Sequence, residues 1–79
     1  MKKYRIRLEY TDRTNCQQVS VLEYDTFEEM KEQYDRLLFQ TLSLMKNGGL
    51  YVPYESIYGY SIIDGKRKVY KTWWIGKKI

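Results

Sequence analysis

The sequence predicts an α+β fold: a single antiparallel sheet of four or five strands in ββαββ order, with one helix packed on one face. Three observations carry that prediction. Residues 3–11 alternate strictly between apolar and polar. Thr26-Phe27-Glu28-Glu29 has the form of a helix start and is followed by an apolar stripe at helical spacing. Two β-rich runs are joined by Asp64-Gly65. A sheet with one apolar face and an amphipathic helix bury each other's hydrophobic surfaces, which gives the two-layer architecture.

The first strand is read from KYRIRLEYT, where Tyr4, Ile6, Leu8 and Tyr10 share one face and Lys3, Arg5, Arg7 and Glu9 the other. The turn-favouring TDRTN ends it, and QQVSVLEY follows as a second strand with Val19 and Val21 on one face, so the two form a hairpin. Thr26 is placed to cap the helix and Glu29 to reach back to it. A spacing of about 100° per residue gathers Phe27, Met30, Tyr34, Leu37, Leu38, Thr41 and Met45 into the core stripe. Asn47-Gly48-Gly49 supplies a left-handed stop, and Pro53 makes the next segment an edge or loop. IYGYSII and KRKVYKTWWI then form the second hairpin.

The chain is expected to form one domain over residues 1–79, since a sequence of this length has room for one small core. Its 43% hydrophobic and 30% charged residues are those of a soluble globular protein, and its longest apolar run falls far short of a membrane span. No membrane partner is expected. A lone cysteine, Cys16, permits no internal disulfide, and residues 1–7 lack the apolar segment of a secretory signal, so a cytoplasmic location is expected. The net charge of +4 is unevenly spread. Every charged residue in 1–7 and 66–78 is basic, whereas residues 8–65 hold all ten acids. The molecule is polarised, and that bears on partners.

Two surfaces are candidates for binding. In the last strand Val69, Lys71, Trp73 and Ile75 have one parity, and the apolar members assign it to the core. Trp74, Tyr70 and Lys68 then lie on the opposite, uncovered face with Lys3, Arg5 and Arg7. The Asp64-Gly65 turn admits two registers for the partner strand. A two-residue type I′ turn pairs Ile63 with Lys66 and exposes Ile57, Gly59, Ser61 and Ile63. A type I turn bulged at Gly65 pairs Ile62 with Lys66 and exposes Tyr58, Tyr60 and Ile62. The second is preferred, because β-branched Ile57 suits a core and tyrosines tolerate a wet face. This basic aromatic face could take a protein, single-stranded nucleic acid or a second copy of the chain. The other surface is the outer helix face, where Phe39 stands among Glu28, Glu32 and Asp35 as a protein-binding anchor would, unless Leu50, Tyr51 or Tyr54 folds over it.

An enzyme is not expected. The chain has no histidine, hence no imidazole base or metal ligand, and no cofactor, metal or small-molecule motif stands out. In size, polarity and single-sheet architecture it resembles the small phage or plasmid products that bind and inhibit a host protein, anti-CRISPR proteins among them. That resemblance is one of class and rests on no motif. It implies a non-catalytic module acting by occupying a protein surface, a protein partner ranking above nucleic acid.

Overall fold

The computed structural model describes residues 2–46 and 54–75. The chain runs β1 (Tyr4–Thr11), β2 (Gln17–Tyr24), α1 (Phe27–Lys46), β3 (Ser56–Ile63) and β4 (Lys66–Trp74), which is the ββαββ order. The strands form one antiparallel four-stranded sheet in the order β2-β1-β3-β4, with α1 on one face. The expected Asn47-Gly48-Gly49 stop and the Pro53 segment lie outside the described residues. No helix among the described residues is long and apolar enough to cross a membrane.

The first hairpin is organised by Asp12. Its carboxylate accepts from the Thr14 hydroxyl, the Thr14 and Cys16 N–H groups and the Gln18 side-chain amide. Asn15 sits in the left-handed region at φ 65, a conformation asparagine tolerates better than most residues. At the start of α1 the Thr26 hydroxyl oxygen accepts from Glu29 N–H at 3.2 Å, and the Glu29 carboxylate accepts from the Thr26 hydroxyl in return.

The core lies between α1 and the sheet. Ile6, Leu8, Met30, Tyr34, Ile57 and Trp73 are buried together, with Leu37, Leu38, Leu42 and Met45 packed around them. Gly59 on β3 lets the helix come close: a Cβ there would lie 3.0 Å from Tyr34 Cδ2 and 3.4 Å from Met30 Sδ. The Tyr34 hydroxyl donates to the Ile57 carbonyl at 3.2 Å, and burial, with Tyr70 and Asp35 adding, pushes its pKa up to about 12. Thr41, buried on the same helix, satisfies its hydroxyl on the Leu37 carbonyl.

The second hairpin differs from expectation in its register. Asp64 and Gly65 both have positive φ, 53 and 75, and Ile63 pairs with Lys66, so the turn is the two-residue type I′ form and not the type bulged at Gly65. Yet Tyr58, Tyr60 and Ile62 are on the open face, because a bulge lies within the strands instead. Gly59 pairs with Lys71 and Tyr60 with Val69, leaving Tyr70 as the extra residue. The bulge reverses the parity of β4 between its two ends. Trp73 is on the core side and Trp74 opposite, but Val69, expected in the core, is on the open face, whereas Tyr70 and Lys68, expected on the open face, are on the helix side. The physical reason is visible around Tyr70, whose ring fills the space between Phe27 and Tyr34 with edge contacts at 5.3 and 5.5 Å. Tyr4 extends this cluster to the other side of Phe27.

Three measurable consequences follow from this packing. Trp73→Ala should lower stability to urea by about 3–5 kcal/mol, as expected for emptying a core site of that size. Gly59→Ala should cost about 1–3 kcal/mol, because the added methyl pushes the Tyr34 ring off the sheet. Asp12, with its carboxyl lowered to about 2, should hold the first hairpin fully ordered above the ordinary value of 3.8 and release it as pH falls toward 2. Protection of the Cys16 amide, taken relative to its intrinsic exchange rate, should fall over that window, and Asp12→Asn should remove that change.

Candidate functional site

The face of the sheet away from α1 is built in rows, because antiparallel partners point the same way. One row runs Glu23, Arg5, Tyr60, Val69; the next Val21, Arg7, Tyr58, Thr72; the third Val19, Glu9, Ser56, Trp74. Lys3 extends β1 at the upper end, where its carbonyl accepts from Ile62 N–H at 2.9 Å. Arg67 pairs with Ile62 and joins the face there. Among the described residues no second layer covers it.

Charge on this face is largely matched internally. Arg7 lies 2.5 Å from the Glu9 carboxylate, and Arg5 Nε lies 3.9 Å from that of Glu23. The Arg67 guanidinium stacks over the Tyr60 ring at 4.9 Å, and the Tyr58 ring lies 5.1 Å from it. Those neighbours bury Tyr60 to 6% exposure although it belongs to the outer face. Several apolar side chains are half exposed on the same face: Val19, Val21, Val69 and Trp74 are 46–51% exposed. With Lys3, Arg5, Arg7 and Arg67 against Glu9 and Glu23, the face keeps a modest positive excess.

The structure therefore brings Lys3, Arg5, Arg7, Tyr58, Tyr60 and Trp74 together, as expected, and removes Lys68 and Tyr70 from the set. Arg67, Val69, Val19 and Val21 take places on the face that sequence reasoning did not assign. Nothing in the alternation of β4 marks the bulge, because each half of the strand alternates regularly by itself. Lys71 keeps the parity of Trp73 and lies on the helix side opposite Gly59, so the bulge, which falls between Lys71 and Val69, moves Val69 and not Lys71.

On the far side of the molecule, Glu28, Glu32, Asp35 and Phe39 follow one another along the outer face of α1, all exposed. Glu32 pairs with Arg36 one turn on, at 3.3 Å. Phe39 is 72% exposed. It lines an open cleft of about 420 Å³ with Gln40, Ser43, Leu44 and Tyr54, so Tyr54 stands beside it without covering it. Leu50 and Tyr51, the other residues expected over Phe39, lie outside the described residues. A second cleft of about 310 Å³ lies between the start of α1 and the second hairpin, floored by Tyr4, Phe27 and Tyr70 with Lys68 at its margin. Among the described residues no three His, Cys, Asp or Glu side chains are grouped to hold a metal ion, and Cys16 is an exposed free thiol.

Phe39→Ala should change stability by no more than about 0.5 kcal/mol in urea unfolding, the range of an exposed substitution that removes no contact of weight. A loss well above that would mean that Phe39 is packed and not displayed. In comparisons with known proteins, no protein-family model matches the chain, no curated protein matches it and no solved structure matches it.

Proposed function

We propose that this chain is a non-catalytic protein-binding module that acts in the cytoplasm by laying the open face of its sheet on a partner protein. The observation that carries the reading is the composition of that face. Its half-exposed side chains include Val19, Val21, Val69 and Trp74, while Arg5 and Arg7 stand beside Glu23 and Glu9. Apolar anchors ringed by charges that already have partners are what a protein interface asks for. The modest positive excess fits a partner surface that is apolar at its centre and acidic at its margin. Inhibition by occupancy, the mode of the small phage and plasmid products the sequence resembles, needs nothing more than such a face.

Nucleic acid is less well served. Binding a single strand calls for free cations along its path and open rings for the bases. Here Tyr60 is buried beneath Arg67, Tyr70 has turned to the helix side, and the two central arginines are held beside carboxylates. The acidic helix face with Phe39 remains a second place for a protein contact.

Capture of interacting proteins on the tagged chain, with Val69→Glu and Trp74→Glu as variants, tests the reading. A defined partner bound by the native chain should be lost by at least about 30-fold in affinity in either variant, the equivalent of a 2 kcal/mol hot spot, with unfolding curves unchanged. Phe39→Ala should retain it. Titration with single-stranded oligonucleotides at low salt should be flat; binding that falls steeply with salt and is lost in Arg7→Ala would transfer the face to nucleic acid.

A further inference from the structure

The two edges of this sheet are treated differently. β4 carries Lys66, Arg67, Lys68 and Lys71 and is broken by the Tyr70 bulge, all devices that discourage another strand from adding to an edge. β2 has none of them. Its sequence QQVSVLEY contains no lysine, arginine or proline, and it pairs with β1 in unbroken register from Tyr4↔Tyr24 to Thr11↔Gln17. Val19, Val21 and Leu22 are exposed along it.

The direction of its backbone groups is fixed by the ladder. Asp12 N–H donates to the Cys16 carbonyl, and Ile62 N–H donates to the Lys3 carbonyl. Even-numbered residues of β1 therefore exchange hydrogen bonds with β2, and odd-numbered ones with β3, since the two kinds of pair alternate along an antiparallel ladder. It follows that Gln18, Ser20, Leu22 and Tyr24 are bonded inward. Gln17, Val19, Val21 and Glu23 turn their N–H and C=O groups away from the sheet.

We propose that two copies of this chain pair antiparallel along β2, joining their sheets into one continuous sheet about a two-fold axis at Ser20. The outward groups select that register. Val19 bonds the second copy's Val21, and Gln17 the second copy's Glu23, and each pairing occurs twice by symmetry. Sliding the pair so that Val21 meets its own copy forfeits the outermost pairing and sets Val19 against Glu23. In the Ser20-centred register four valines meet on the open face, no like charges are opposed, and both helices lie on the same side. Edge pairing leaves both open faces free and doubles them into one surface, so it is compatible with the proposed docking but does not depend on it.

Light scattering or sedimentation of the purified chain should give twice its 9.7 kDa mass. Val21→Pro should return a monomer of native circular dichroism, because it deletes an N–H that the isolated subunit directs at solvent. In a Cys16→Ser background, Ser20→Cys should crosslink two chains under mild oxidation, since a central non-bonded pair brings the Cα atoms to about 4.5 Å, within disulfide reach. Should the proline variant fail to fold, the crosslink decides. A monomeric mass up to hundreds of micromolar overturns the proposal, as does a dimer that survives Val21→Pro or gives no Ser20→Cys bridge. A dimer lost instead in Trp74→Glu would belong to the open face. These measurements use the chain by itself, so they can fail while partner capture succeeds, and the reverse.

Discussion

The structure depends on one close approach, that of the Tyr34 ring to the backbone of Gly59. A helix normally stands off a sheet by the depth of two side chains, but here one side of the contact has no side chain. The ring lies where a Cβ would otherwise come within 3.0 Å of it, and its hydroxyl reaches past Gly59 to the Ile57 carbonyl. That arrangement uses the aromatic bulk for packing while giving the polar end a partner, without which burial of the hydroxyl would be costly. It fixes the helix over the two central strands β1 and β3, and with it which face of the sheet is core.

Once Tyr34 is seated, the remaining space near the start of α1 has to be filled from β4. A regular strand cannot do this, because Trp73 already occupies the core row and a residue three positions earlier points away from it. The bulge resolves the conflict by turning Tyr70 inward between Phe27 and Tyr34. Its cost is a parity reversal that carries Val69 and Arg67 to the outside. The open face thus acquires its guanidinium–tyrosine stack and one of its exposed valines as a by-product of packing on the other face.

Much of the fold was legible because it is written in local signals. Alternation over Tyr4 to Tyr10 marks β1 and its buried side. Thr26 and Glu29 mark the helix start, and Asp64-Gly65 marks the second turn. What could not be read was the relation between two strands whose register is interrupted. Parity arguments carry a face assignment along a strand only while the ladder is continuous. Parity therefore puts Tyr58 and Tyr60 on the right face for a wrong reason, since the bulge is at Tyr70 and not at Gly65. The same break misplaced Lys68, Tyr70 and Val69. The place of Phe39 on the outer helix face is readable from its position opposite the helix stripe, whereas the outward edge of β2 needs the hydrogen-bond pattern and cannot be inferred from side-chain alternation.

The strand order has a further consequence, in the time course of folding. Each hairpin, β1 with β2 and β3 with β4, pairs residues close in sequence, and α1 is local by nature. The central seam between β1 and β3 is different, because Leu8 and Ile57 are neighbours there with the whole helix between them in the chain. Closing that loop takes the largest share of chain entropy and is rewarded only when the helix settles on the joined strands. Gly59, in the middle of the seam and beneath Tyr34, is where those two events become one. The long-range closure and the docking of the helix accordingly meet at a residue that has no side chain.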